Sequence, residues 1–534
     1  MNSKSRSLLS SYQTVLFRIP YGIFVVVFVL MPVFVFTSIC FVKHIDVSAL
    51  STAYNDEVSW FNQAMAVAEY GKPLGYWGYN GTHADIGTFG AWGPVSVYFF
   101  ALFLKPLKWL FPSAGVSIYI FNNLLWACTA NLLFVLLSKP RKNNMLRLIV
   151  IHAFLFVNHC YMFEAMSETI RFSMGVILAG ISVFLLRRRE SRGYKCMLYA
   201  IAPVVLLLFM SAYIMFAVIV PVWLYAVYQD NSAFKKKKVA FVLVSGIGFI
   251  AVSLTVYFVT GKFTSPYVTD GVTDILKAFQ SDFVYGVYFL LQYILDNIGK
   301  CDLKFILSST NVYGGFFVFY LPLYYSVCIY LILSSVVGWK KMKKPDLEIQ
   351  IIGAFVMTAF MAAFIVLYST YYWILVRGIN IALVFTLYLL CMKEKPAEIM
   401  TIAAVSVLGV IPFMLVANNT FIYGRTMEEN ASDYSEVFSQ YIHVSEGSDP
   451  WENTIACYGD ETRECLGLPV GMSINSMMNK KSNQNARYAM IWMIETSADE
   501  MSIEDPDALM EELEPNHDLL YRDENLILMI RTGA

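Results

Sequence analysis

Two adjacent carboxylates stand shortly after the first apolar run, where they could do acid–base chemistry. They are Asp56 and Glu57, within the segment 54–60. If this segment is helical, the two side chains point about 100° apart, so one can face a buried cleft while the other faces water. A carboxylate so placed could serve as a general base. The alternative is a solvated acidic turn or a helix N-cap.

The chain then enters a segment, 71–94, that is rich in glycine and aromatic residues. So much glycine beside membrane spans predicts a backbone folded tightly against a partner. The aromatic rings suit sugar rings as well as the lipid interface. His83 and Asp85 are too few ligands for a metal site, and a structural hydrogen bond is favoured over a metal there. Together with Trp92 they are candidate substrate-binding residues.

Two further polar groups flank predicted spans. Glu164 and Glu168 are four residues apart and would share one helical face, with Arg171 three residues beyond. The two carboxylates could bind a divalent cation (Mg²⁺ or Mn²⁺) that carries a phosphate, or they could pair with Arg171, and both alternatives stay open. Arg377, beside aromatic residues at the start of a late span, could clamp an anionic headgroup or snorkel to lipid phosphate.

The composition indicates that membrane helices must position these groups. Of the 534 residues, 57% are hydrophobic and only 15% are charged, whereas soluble domains have roughly 25% charged residues. The apolar residues form many runs near the ~20 residues that span a bilayer. This pattern excludes a soluble globular enzyme and predicts an all-α polytopic membrane protein. The basic residues stand in short clusters between the runs, which excludes a nucleic-acid binder.

The positive-inside rule places the N-terminus and the basic clusters in the cytoplasm and predicts about eleven transmembrane helices. The first, 17–42, is a signal anchor, and 92–111 is instead an interfacial helix, so 43–113 forms one large outer loop. We expect a bacterial plasma membrane. The other spans are predicted at about 114–137, 145–163, 170–187, 197–228 (crossed twice), 239–259, 316–337, 349–368, 374–392 and 399–422, with an outer loop at 260–312.

A change in charge and hydropathy marks a domain boundary between 1–423 and 424–534. The tail contains 7 Lys and Arg against 22 Asp and Glu, which is typical of a water-soluble domain. Short apolar strings at 489–494 and 526–530 indicate a small exoplasmic α/β domain. Cys457 and Cys465 could form a disulfide on an oxidising outer face or remain as thiols.

The pattern resembles the GT-C superfamily of membrane glycosyltransferases, such as the protein O-mannosyltransferases and the aminoarabinose transferases of lipid A. The resemblance covers about 1–400. It rests on the acidic pair soon after the first span, a juxtamembrane helix that begins at Gly93-Pro94, Glu168 at the start of the fourth span, and Arg377. Relatives usually continue the late arginine with Tyr and Pro, whereas Gly-Ile-Asn follows here. They also often carry a proline pair where this chain has Pro94 alone.

This resemblance implies a sugar donor linked to polyprenyl phosphate and an inverting transfer on the outer face to a glycan, lipid or protein. Asp56 would be the general base, and Glu57 would orient the acceptor or the base. Arg377, Arg171 or a metal on Glu168 would neutralise the departing phosphate.

Two other classes of protein are alternatives. A polysaccharide polymerase or ligase would use the same lipid carriers, but arginine-rich outer loops would be expected, and 260–312 contains no arginine. A flippase or transporter of lipid-linked glycans would need ionisable groups along a path across the bilayer, whereas the predicted spans are almost free of charge.

Overall fold

The computed structural model describes most of the helical body and most of the tail. The described ranges are 19–44, 55–75, 93–111, 114–157, 168–187, 192–202, 219–230, 237–261, 270–300, 372–393, 434–447, 449–459, 467–476, 483–493 and 505–533, with single residues Val47, Val327, Tyr330, Leu331, Gly353 and Ile503.

The described part of the body is helical. Its helices are α1 (Tyr21–Lys43), α2 (Asn55–Tyr70), α3 (Gly93–Leu110), α4 (Ala114–Ile120), α5 (Thr129–Ser138), α6 (Lys142–Val157), α7 (Glu168–Arg187), α8 (Tyr194–Cys196), α9 (Val220–Gln229), α10 (Lys238–Gly261), α11 (Asp270–Ser281), α12 (Phe283–Lys300) and α13 (Tyr372–Cys391). A π-helical segment, Phe121–Cys128, joins α4 to α5 without a break.

Two described helical segments are long and apolar enough to cross a membrane. They are Tyr21–Ser38 and Val116–Ser138, which match the first two predicted spans. Helices α6, α7, α10 and α13 coincide with four more of the predicted spans. The total of eleven stays a prediction, because 316–326, 354–371 and 394–433 lie outside the described residues.

The predicted outer loop at 260–312 contains two helices, α11 and α12, which the sequence analysis did not anticipate. They pack against each other as a hairpin. The two helices approach each other closely at Gly286, which lies against the ring of Phe279. A Cβ added at Gly286 would come within 2.5 Å of that ring.

A buried polar network connects four helices inside the bundle. The side-chain amide of Asn131 donates to the carbonyl oxygen of Phe28 at 3.0 Å and lies 2.8 Å from Nε2 of His152. The other ring nitrogen of His152 is hydrogen-bonded to the hydroxyl of Tyr388. All three polar side chains are fully buried. The network ties α1, α5, α6 and α13 together, and the sequence analysis missed it.

Three donors close the C-terminal end of α13. Asn144, Arg147 and Arg187 donate to the carbonyl oxygens of Cys391, Lys393 and Met392, respectively. The last carbonyls of a helix lack partners within the helix, and cations are favourable there. These bonds fix the lengthwise position of α13 against α6 and α7.

The described tail is a mixed five-stranded sheet with helices on both faces, whereas the sequence analysis predicted a small α/β domain and nothing finer. The elements are α14 (Ser435–Tyr441), a 3₁₀ turn (Pro450–Asn453), β1 (Thr454–Tyr458), β2 (Ser473–Ser476), β3 (Tyr488–Trp492), α15 (Pro506–Leu513), β4 (His517–Arg522) and β5 (Leu526–Arg531). The strand order is β2-β1-β3-β5-β4. Strands β2, β1 and β3 are parallel, and β5 is antiparallel to β3 and β4.

The central strand β3 is buried on both faces, which explains its continuous apolar sequence. Tyr488, Met490 and Trp492 pack in the core on the side of α14, and Ala489 and Ile491 pack in the core on the side of α15. Cys457 is buried in β1. Because Cys465 lies outside the described residues, the alternatives of a disulfide and of two thiols both stay open.

Candidate active site

The acidic pair occupies the first turn of a helix. Helix α2 begins at Asn55, so Asp56 and Glu57 are its second and third residues. Carboxylates in a first turn interact favourably with the helix dipole, which agrees with either of the two roles considered for the pair. By helical spacing, positions 56, 60 and 63 share one face of α2.

That face of α2 continues into buried polar side chains. Trp60 is fully buried and Gln63 is 1% exposed. The indole nitrogen of Trp60 and both amide atoms of Gln63 lack a hydrogen-bond partner in the described part of the chain. A buried polar group without a partner costs about 1–3 kcal/mol. These unbonded polar atoms lie on the same face of α2 as position 56.

Helix α3 packs against α2. The rings of Trp60 and Phe100 are 4.1 Å apart, and Phe100 in turn meets Phe121 edge-on at 4.2 Å. Further along, the Lys105 ammonium lies 3.4 Å from the Glu69 carboxylate, with both side chains 55% exposed. The helix predicted at 92–111 is therefore present as α3, and its buried face packs against α2, while its position in the outer interface stays a prediction.

The remaining predicted site residues begin or precede other helices. Glu168 is the first residue of α7, and Arg171 is in the same turn. Arg377 lies in the second turn of α13. His83, Asp85, Trp92 and Glu164 lie outside the described residues. Their roles stay predictions.

No group of three or more His, Cys, Asp or Glu within the described ranges is arranged to hold a metal ion. The predicted pair Glu164 and Glu168 falls outside this test, because Glu164 is not among the described residues.

Sequence analysis overlooked Gln63. A signal for it was present, because Gln63 lies seven residues after Asp56, and that spacing places both on one helical face. An amide within an apolar stretch that also contains Trp60 and Phe61 is expected to be buried, and its burial without a partner became visible only in the structure.

The chain is similar to a solved structure over most of its length. The similarity to the crystal structure of ArnT from Cupriavidus metallidurans bound to undecaprenyl phosphate covers 96% of this chain and 98% of that chain, with 10% identity and a TM-score of 0.44. No protein-family model matches the chain, and no curated protein matches it either.

Proposed function

We propose that the protein is an integral membrane glycosyltransferase that moves a sugar from a polyprenyl-phosphate carrier to an acceptor hydroxyl on the outer face of a bacterial plasma membrane. The observation that carries this proposal is the face of α2. This face begins with Asp56 in the first turn and continues with the unbonded polar atoms of Trp60 and Gln63. Sugar hydroxyls both donate and accept hydrogen bonds, as the Gln63 amide does.

The reaction requires a base, since an acceptor hydroxyl is a weak nucleophile at neutral pH. In the proposed step, the Asp56 carboxylate takes the hydroxyl proton while the acceptor oxygen bonds to the anomeric carbon. The bond from that carbon to the phosphate oxygen breaks, and polyprenyl phosphate leaves with the electron pair. The configuration at the anomeric carbon is inverted. Glu57 orients the acceptor or the base.

The leaving phosphate gains negative charge, and fixed cations would stabilise it. Arg377 in α13 and Arg171 in α7 are the proposed cations, together with a divalent ion on Glu164 and Glu168. His83, Asp85 and Trp92 are proposed to bind the sugar or acceptor. The proposed acceptor is a glycan, a lipid or a protein.

The test is a reconstitution assay. Purified protein in liposomes is supplied with polyprenyl-phosphate-linked sugars and a panel of acceptors, and release of polyprenyl phosphate and the anomeric configuration of the product are measured. We expect release that depends on the acceptor, with inversion. Transport of the intact donor across the bilayer without release would instead support the flippase alternative.

Chelation tests the metal. If a divalent cation on Glu164 and Glu168 neutralises the phosphate, EDTA lowers turnover, and Mg²⁺ or Mn²⁺ restores it. Unaltered turnover in EDTA would assign the neutralisation to Arg171 and Arg377 alone.

Gln63→Leu tests the face of α2. If the Gln63 amide binds a substrate hydroxyl, the variant is expected to raise KM about tenfold or more, from the loss of about 1.5 kcal/mol or more of hydrogen bonding. Removal of two unbonded polar atoms should leave Tm unchanged or higher. Asn62→Leu is the matched control, because Asn62 is also buried with an unbonded amide nitrogen but lies about 100° round the helix. An unchanged KM in Gln63→Leu would contradict the assignment.

A further inference from the structure

The tail sheet touches the turn that follows α2. Strand β2 packs against α2. At Gly75, an added Cβ would lie 2.4 Å from Oγ of Ser473 and 2.6 Å from the carbonyl oxygen of Asn453, both in the tail. The backbone of the turn 71–75 therefore approaches β2 and the 3₁₀ turn so closely that only glycine fits there.

A second close contact between the tail and the body is formed at Gly471. Gly471 has a positive φ of 108°, and an added Cβ would lie 3.1 Å from the ring of Tyr70 and 3.2 Å from Leu74. Its neighbour Val470 packs against the apolar core of the body. Burial, followed by the charges of Glu69 and of Glu446 in the tail, raises the pKa of Tyr70. Groups from both sides thus meet at the C-terminal end of α2.

This contact constrains the topology. The turn 71–75 and the tail domain can touch only if they lie on the same side of the membrane. The same contact couples the tail to the candidate base, because the contact and position 56 lie at opposite ends of one continuous helix, α2. From Tyr70 to Asp56 the helix rises about 21 Å. Over that length a tilt of roughly 5° moves the Asp56 end by about 2 Å, and misplacement by 1 Å can lower a rate about 100-fold.

We propose that the tail domain is a positioning clamp, which holds the C-terminal end of α2 between β2 and α3 and thereby sets the position of Asp56. This role rests on the proposed function for its effect on turnover, whereas the docking itself does not. The clamp consists of Gly75 on the body side and of Ser473, the Asn453 carbonyl and Gly471 on the tail side. It gives the acidic exoplasmic domain a part in catalysis without any contact with substrate.

The experiment compares Gly→Ala substitutions that introduce the same backbone strain. They differ in whether the new methyl group clashes with neighbouring atoms. Gly71 and Gly75 belong to the same turn and have φ values of 72° and 79°. A Cβ at Gly71 has no neighbour within 4 Å, and the same is true of Gly533, a tail glycine with φ 80°. Gly71→Ala and Gly533→Ala are therefore controls for the strain of a positive φ.

We expect Gly75→Ala to lower kcat at least tenfold with the KM for the donor unchanged, because the phosphate is held by other elements. Gly471→Ala should have a smaller effect, since its neighbours need to move by only a few tenths of an ångström. Gly71→Ala and Gly533→Ala should stay within twofold of the wild type. Hydrogen exchange of the β2 amides reports docking independently of activity. It should become faster in Gly75→Ala, to a smaller extent in Gly471→Ala, and not in Gly71→Ala or Gly533→Ala.

Several results would overturn the clamp. Equal loss of kcat in Gly71→Ala and Gly75→Ala would assign the effect to backbone strain. Faster β2 exchange in Gly75→Ala with normal kcat would show that docking does not position the base, and unchanged β2 exchange would remove the docking. A wild-type protein without turnover would remove the proposed function and the positioning role with it, while β2 exchange would still decide the docking.

Discussion

Asp56→Asn is expected to lower the rate of sugar transfer by about 10²–10⁴-fold, the range that a positioned general base contributes. Asparagine has nearly the same shape as aspartate but cannot accept a proton at neutral pH. Because the residue lies in the first turn of α2, the loss of one favourable dipole interaction should change stability by at most about 1 kcal/mol. Transfer rate and Tm of the purified variant are the two measurements.

Two variants of α2 serve as comparisons. Glu69→Gln changes a carboxylate near the other end of the helix, where an exposed ion pair with Lys105 contributes about 0–1 kcal/mol, and its rate should match the wild type. The transfer rate of Glu57→Gln should lie between those of Asp56→Asn and Glu69→Gln, since an orienting group affects the rate less than the base does. Normal transfer in Asp56→Asn would eliminate this residue as the base.

Elements with a strong local signal could be predicted from sequence. The start of α7 at Glu168 and the start of α13 at Tyr372 follow from apolar runs bounded by polar or aromatic residues. The strands β3 and β5 follow from the apolar strings at 489–494 and 526–530. In each case the signal lies within the segment itself, in the length and composition of an apolar run.

The contacts between distant segments could not be predicted. Gly75 looks like any turn glycine until Ser473, nearly 400 residues later, is found against it. His152 looks like an isolated polar residue in a span until Asn131 and Tyr388 are found beside it. The α11–α12 hairpin was missed because its charged residues, including Asp274 and Lys277, break the apolar pattern that was used to recognise spans.

The site as a whole depends on helices that are fixed from different directions. Helix α2 is held by α3 along its length and by the tail at its C-terminal end. Helix α13, which carries Arg377, is held at its far end by the donors of α6 and α7. The separation between the proposed base, Asp56, and the proposed cation, Arg377, is therefore set by contacts that lie far along the chain from both residues.

The buried polar network of Asn131, His152 and Tyr388 should contribute to stability without touching the site. In His152→Leu, the Tyr388 hydroxyl loses its hydrogen bond to the imidazole, and the Asn131 amide nitrogen loses one of its two partners. Both groups stay buried. Each stranded group costs about 1–3 kcal/mol, so we expect the variant to be destabilised by about 2–5 kcal/mol. Thermal unfolding in detergent measures the effect as a lower Tm.

Thr386→Val is the matched comparison, and its effect should have the opposite sign. Thr386 lies two residues before Tyr388 in the same helix and is also fully buried, but its hydroxyl has no partner in the described part of the chain. Valine keeps the shape and removes the unbonded group, so Tm should stay constant or rise. A similar fall of Tm in both variants would mean that packing, and not the hydrogen bonds of His152, holds α13 against α6.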